Sequence, residues 1–335
     1  MIYHLTRPAE GGMLRVLTRL ILELNKKGSK QEVWSAECQL GLELETLSVP
    51  HKHWPLYDKL ALTDLLAYWQ QRELGEGLIC YHGLKSFLVA NPGDNPVFVC
   101  FYNALFPLHG KKSLRYLTLK IKKQRQKNLQ GVVVASESQA KEAKELFSKV
   151  HIIPSGVDTA KFIPSGAREK VIGFLGRLRK EKGIELILAI AKDFTDWTFE
   201  LAGPDLDGYG TRQLPSNVKL LGAVSQPEKL LSRWSIMLLP SYTEALPLAL
   251  LEGMSAGLAI VATDTGDIKR VLGEAGLLIP VGDGYRLKEA IGKLIKENSL
   301  RAELGQKARE MALTYDWSNI MRLWTELIQS AEVGP

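Results

Sequence analysis

Short apolar runs alternate with amphipathic stretches along the chain, and the alternation breaks once and restarts. The first series is Met1-Ile2-Tyr3-His4-Leu5, Glu32 to Ala36, Leu78-Ile79-Cys80-Tyr81, Val97-Phe98-Val99-Cys100-Phe101, Val132-Val133-Val134 and the short His151-Ile152-Ile153. Brief runs rich in β-branched and aromatic residues, closed by polar residues or glycine, read as buried strands. Between them Met13 to Lys27 places Leu14, Leu17, Leu20, Ile21 and Leu24 on one helical face. Helices are also predicted over Asp64 to Arg72, over Lys111 to Gln130 and near Ser138 to Phe147.

The pattern breaks around Pro164-Ser165-Gly166. A second series follows: Val171 to Leu175, Phe199 to Gly203, Val218 to Gly222, Ile236 to Leu239, Leu258 to Ala262 and Gly276 to Ile279, with helices from Ile184 to Lys192 and from Tyr285 to Gln329, bent near Tyr315-Asp316-Trp317. Strands separated by helices, in two successive series, predict an α/β protein of two doubly wound domains rather than one barrel. The expected divisions are residues 1–160, 161–312 and a C-terminal helix over 313–335 that crosses back to the first domain.

Pro240 to Gly257 is the most informative stretch. The strand Ile236-Met237-Leu238-Leu239 stops at Pro240, Pro247 suits the first position of a helix, and Gly257 ends it. Glu244 then lies in the strand-to-helix turn, where the positive end of the helix favours a negative charge. Glu252 falls among Leu248, Leu250, Leu251 and Met254. An ionised carboxylate without partners there costs several kcal/mol, so donors are expected around it. Neighbouring sugar hydroxyls would meet the need, as would a structural salt bridge to Arg177 or Lys182.

Other polar positions gather where strands end. The loop Gly176 to Gly183 carries Arg177, Arg179, Lys180 and Lys182 ahead of a helix, a suitable seat for a diphosphate, although surface cations would explain Arg179 and Lys180 equally. Gly11-Gly12, before the first helix, lets the backbone approach an anion or simply makes a tight turn. His82, Tyr102 and Asn103 stand at the C-terminal edge of the first sheet, where open α/β sheets bind ligands and where capping roles also occur.

The net charge of +6 refines this picture because it is uneven: residues 1–160 hold 21 Lys and Arg against 15 Asp and Glu, and residues 161–335 hold 22 of each. Lys111 to Lys127 alone contains eight basic residues and no acidic one. Such a helix suggests an anionic membrane surface, with a solvated face as the alternative. Nucleic acid is not expected, since no aromatic interleaving or known module accompanies the charge. No run approaches a membrane span and the chain opens directly on a strand-like segment, so no leader is expected and a cytoplasmic location is. Cys38, Cys80 and Cys100 lack metal-like spacing and read as reduced core thiols; with the six histidines scattered, no metal site is expected.

Three motifs in order carry a family resemblance. Ile153-Pro154-Ser155-Gly156-Val157-Asp158-Thr159 with Phe162, then Gly176-Arg177-Leu178 with Lys182-Gly183, then Glu244 with Glu252, resemble the linker, phosphate loop and two-glutamate motif of the family 4 glycosyltransferases. The resemblance implies a GT-B architecture, two facing Rossmann-like domains with a cleft between them, and a retaining, metal-independent transfer from a nucleotide sugar, a UDP or GDP sugar. It implies that Arg177 and Lys182 hold the diphosphate, with Gly11 and Gly12 closing on it from the other domain. It further implies that Glu252 accepts the ribose hydroxyls, Glu244 faces the donor sugar, the N–H groups near Leu246 and Leu248 stabilise charge, and Val224 lies by the base.

One departure stands out. Tyr102 occupies the place of the family's usual histidine, and a phenol is a poor base near neutral pH. His82, one strand earlier, is a candidate for part of that role. The expected function is glycosyl transfer to a sugar or lipid-linked acceptor in envelope polysaccharide or glycolipid synthesis, peripheral to the inner face of the membrane. The alternatives are a nucleotide-sugar-binding protein that has lost turnover and a sugar-nucleotide epimerase of the same architecture.

Overall fold

The structure is a computed structural model that describes residues 1–6, 11–35, 44, 48–54, 74–83, 86, 93–102 and 128–332. The chain divides into two compact units, Met1–Pro154 with Ile320–Pro335, and Ser155–Asn319.

In the first unit the described elements are β1 (Ile2–Thr6), α1 (Gly11–Lys26), β2 (Gln31–Ser35), β3 (His51–His53), β4 (Leu78–His82), β5 (Val97–Phe101), β6 (Leu129–Val134), α2 (Glu137–Lys144) and β7 (Val150–Ile152). Its strands form one parallel sheet in the order β3-β2-β1-β4-β5-β6-β7. Strand alternation sends Tyr3, Leu5, Ile79, Tyr81, Val97 and Val99 into one core cluster. On the opposite face Val33 packs with Leu14, Leu17 and Ile21 of α1. His4, Cys80, His82 and Cys100 lie on the α1 side by the same alternation, and all four are buried.

The second unit contains β8 (Val171–Leu175), α3 (Ile184–Ala191), β9 (Thr198–Ala202), β10 (Val218–Gly222), α4 (Pro227–Leu231), β11 (Ile236–Leu239), α5 (Leu248–Ser255), β12 (Ala259–Thr263), α6 (Ile268–Leu272), β13 (Leu277–Ile279), α7 (Gly284–Lys296) and α8 (Asn298–Leu313). Its parallel sheet runs β10-β9-β8-β11-β12-β13. Both faces are covered: Met237, Leu239, Leu250 and Met254 belong to one core cluster, and Ile236, Leu238, Ile187 and Ile291 to the other. A last helix, α9 (Trp317–Glu332), starts in the second unit and ends in the first. Asp316 fixes its start by accepting from the Thr159 hydroxyl at 2.6 Å and from the Ser318 N–H at 2.9 Å.

The fold corrects the sequence reading at three boundaries. Leu129 and Gln130 begin β6, so these two residues are strand where helix was expected; pairing of Leu129 with Val97 overrides its helical spacing. The rest of that basic segment, Lys111 to Lys127, lies outside the described residues, as do Asn103, Cys38 and the helix expected over Asp64 to Arg72. The C-terminal helices expected to bend near Tyr315-Asp316-Trp317 do break there, between Leu313 and Trp317, and a further break at Glu297, which was not expected, divides the stretch into three helices. Pro247, with φ −72° and ψ 130°, is the extended residue before α5 rather than its first helical residue.

Candidate functional site

Within each sheet the strand order reverses beside the first strand of the unit, between β1 and β4 and between β8 and β11. Loops leaving the carboxyl ends of such strands are the ligand-binding position of doubly wound sheets. The sequence-selected residues collect there in both units.

In the second unit the loops after β8 and β11 are tied together. Tyr242 N–H donates to the Glu181 carbonyl at 2.8 Å, and the Thr263 hydroxyl donates to the Ser241 carbonyl at 2.6 Å. Gly183 has φ +73°, and a Cβ there would overlap the Pro240 carbonyl oxygen, so this approach requires glycine. On the other side of the turn Gly266, at φ +57°, lies against the Glu244 carbonyl, and Asp267 N–H donates to the Ala245 carbonyl at 2.9 Å.

This support places a cation and a carboxylate together. Lys182 Nζ meets Glu244 Oε1 at 2.6 Å, with the two side chains 17% and 10% exposed, and the Ser241 hydroxyl donates to the same oxygen at 2.8 Å. Arg177 is exposed and has no hydrogen-bond or ion-pair partner among the described residues. None of the described residues accepts from the N–H groups of Leu246, Leu248 or Ala249 at the start of α5. Cations and N–H groups in this arrangement favour an anionic ligand. Glu252, 6% exposed, lies in the middle of α5. Val224 is half-buried after β10 and packs on the core beneath the sheet edge. Ser241 escaped the sequence reading; its position in the turn, three residues before Glu244, was the available signal.

The first unit arranges its polar groups differently. Tyr102, after β5, is within 2.9 Å of His82 Nδ1 through its hydroxyl. His82 Nε2 is 3.0 Å from His4 Nδ1, and His4 Nε2 is 3.1 Å from Gln31 Oε1. The rings of His4, His82 and Tyr102 stack in succession. His82 is fully buried, so it stands behind Tyr102 rather than beside it. Burial lowers the His4 pKa to about 4 against a weaker raising effect from Gln31, and lowers that of His82 well below the usual imidazole range, with His4 adding to the effect. Burial, then Cys100 and Cys80, raises the Tyr102 phenol, which therefore stays protonated at neutral pH. Sequence reading missed His4 because it sits in a run read as plain strand, and Gln31 because it lies just before the strand expected from Glu32; a polar residue at a core-facing position of period two was the signal. Gly11 and Gly12 form the first turn of α1.

Among the described residues no cluster of three or more His, Cys, Asp and Glu could hold a metal ion, and no helix is long and apolar enough to cross a membrane. Cys80 and Cys100 are buried and unbridged.

Residues 158–311 match the family model described as Glycosyl transferases group 1. The chain is 28% identical over 205 residues to a D-inositol 3-phosphate glycosyltransferase of Corynebacterium jeikeium, covering 50% of this chain and 48% of that protein. It is 27% identical over 267 residues to the phosphatidyl-myo-inositol mannosyltransferase of Mycolicibacterium smegmatis, covering 71% and 67%. The chain spans about half the length of the first curated relatives it matches, 58% and 48%. Among solved structures, Anabaena HepE in complex with UDP superposes with a TM-score of 0.82 at 18% identity, covering 98% of this chain and 99% of that one. Sucrose-phosphate synthase of Thermosynechococcus elongatus superposes with a TM-score of 0.79 at 18% identity, covering 98% of each chain. The fold is thus that of the GT-B glycosyltransferase structures, two parallel-sheet Rossmann-like domains, with the Glycosyl transferases group 1 match lying within the second.

Proposed function

We propose that this protein is a retaining glycosyltransferase that moves a sugar from a nucleoside diphosphate sugar to a hydroxyl acceptor. The observation that carries the reading is the Lys182–Glu244 pair at the amino end of α5, flanked by exposed Arg177 and by the N–H groups of Leu246 and Leu248. The Glycosyl transferases group 1 match over the same residues supports it, as do relatives named as glycosyl- and mannosyltransferases and a structural neighbour complexed with UDP-glucose.

Each part has a role on this reading. Arg177 and Lys182 neutralise the diphosphate, and the N–H groups of Leu246 and Leu248 take up charge that develops as it leaves. Lys182 then leaves Glu244 or shares itself between the carboxylate and the phosphate. Glu244 faces the donor sugar, Glu252 accepts the ribose hydroxyls, and Val224 lies against the base. The acceptor hydroxyl attacks on the face from which the diphosphate departs, and the leaving phosphate takes its proton, so the anomeric configuration is retained. Fixed cations and dipoles perform the neutralisation, and activity persists in a chelator. The acidic-free charge of Lys111 to Lys127 supports a lipid-linked or membrane-bound acceptor and a peripheral location.

The test is incubation with radiolabelled UDP-glucose and GDP-mannose in EDTA, with membrane lipid extract as acceptor, followed by NMR of the product. Transfer with an α-linkage from one of these α-configured donors is expected. Nucleotide binding without transfer or hydrolysis would favour the binding-protein alternative.

A further inference from the structure

The buried chain Ile21–Gln31–His4–His82–Tyr102 has its proton positions fixed from one end. Ile21 contributes a backbone carbonyl, which can only accept, so the Gln31 amide group that lies 3.1 Å from it must be the NH2. Gln31 Oε1 therefore faces His4, and His4 carries its proton on Nε2. A neutral imidazole has a single N–H, so His4 Nδ1 accepts, and the proton between the two rings belongs to His82 Nε2. His82 Nδ1 is left as an acceptor, and the Tyr102 hydroxyl donates to it.

Neutrality of both rings is part of this argument, and their surroundings enforce it. His4 is 1% exposed, His82 is buried completely, and Gln31 is 5% exposed. Among the described residues no Asp or Glu is bonded to either ring to stabilise an imidazolium. Reversing the direction of all the bonds would bring Gln31 Oε1 against the Ile21 carbonyl, two acceptors with no proton between them.

A phenol has one proton, and here it is directed inward. Tyr102 is only half-buried, and the lone pairs of its oxygen are what remain for any other partner. We propose that Gln31, His4 and His82 are positioning residues that make Tyr102 an acceptor-only contact for a carbohydrate, selecting a hydroxyl or amide N–H of the sugar and rejecting a carboxylate or phosphate oxygen at that point. The chain does not act as a base, because its nearest acceptor of a proton is a buried ring held neutral. This deepens the proposed function and rests on it: the ligand is the sugar portion of the same reaction.

Two measurements on the full chain test the proposal. The first is a long-range proton–nitrogen spectrum of histidine-labelled protein at neutral pH, assigned with His4→Phe and His82→Phe. Both rings are expected as neutral Nε2–H tautomers; an Nδ1–H tautomer or a protonated ring at either position overturns the polarity. The second compares turnover of the donor that the protein uses, UDP-glucose or GDP-mannose, with that of its monodeoxyfluoro analogues, in which one hydroxyl donor at a time is replaced by fluorine, using binding of the matching nucleoside diphosphate as the control. One analogue is expected to lose about tenfold in kcat/KM, the worth of one hydrogen bond, in the native protein. That loss is expected to vanish in Tyr102→Phe and to shrink in Gln31→Met, which releases the tautomers without touching the ligand. If that nucleoside diphosphate binds but no analogue shows a penalty that depends on Tyr102 and Gln31, the selection of a sugar hydroxyl is wrong. If neither UDP nor GDP binds, the proposed function fails and the sugar contact fails with it, while the tautomer spectrum still decides the direction of the chain.

Discussion

The two units share a strand order around their first strands yet equip the same sheet edge with opposite chemistry. In the second unit the edge carries charge: Lys182, Glu244 and Arg177, on loops held in place by Gly183 and Gly266. In the first unit it carries a neutral chain, Tyr102, His82, His4 and Gln31, buried between the sheet and α1. A charged site needs water or a ligand to complete it, whereas a neutral chain satisfies itself and offers one direction of hydrogen bonding outward. The contrast suits one unit to an anion and the other to a neutral polyol.

The contrast can be broken first at the backbone. Gly183→Ala should destabilise the second unit by about 3–4 kcal/mol, since the residue is left-handed and its Cβ would overlap the Pro240 carbonyl. Thermal unfolding would show the loss, and an unchanged midpoint would mean that the two loops are not braced as described.

Acid should sharpen the contrast in the other direction. His4 has a folded pKa of about 4 against an unfolded value near 6.5, so the unfolded chain binds the proton first. Stability from neutral His4 is complete above pH ~6.5 and is lost as pH falls from there toward about 4, by about 3 kcal/mol in all. Urea unfolding across that window, repeated on His4→Phe, should show a slope that the variant reduces. The effect belongs to the first unit, and hydrogen exchange should locate it there.

A smaller effect is expected at the start of α9. Asp316 has its pKa lowered to about 2, because hydrogen bonds from Thr159 and Ser318 outweigh the raising effect of its burial. Its contribution is present above pH ~3.8 and is lost as pH falls toward about 2. Thr159→Val should cost about 1 kcal/mol at neutral pH and leave nucleotide affinity unchanged.

What could be read from the sequence follows the same division. Strand runs such as Val97 to Phe101 and Ile236 to Leu239 were legible because burial on both faces leaves continuous apolar residues. Glu252 was legible because a carboxylate in an apolar helix contradicts its surroundings. The pairing of Lys182 with Glu244 was not, since it depends on two loops that are distant in sequence meeting at one sheet edge. His4 and Gln31 were hidden for a related reason: only the parallel register of β1 with β2 and β4 brings them to His82. Leu129 and Gln130 were read as helix because Leu129 fits a helical spacing and a strand equally well until its partner Val97 is known.

The most direct test of the central claim, that the nucleotide diphosphate belongs to the charged edge of the second unit, is calorimetric titration of UDP and GDP without added metal into three proteins: native, Arg177→Ala and Tyr102→Phe. One nucleotide is expected to bind the native protein, to lose at least about tenfold in affinity in Arg177→Ala, consistent with loss of a charge-assisted phosphate contact, and to bind Tyr102→Phe within about twofold of native. Equal binding by native protein and Arg177→Ala, or a loss confined to Tyr102→Phe, would contradict the assignment and return Lys182, Glu244 and Glu252 to a structural role.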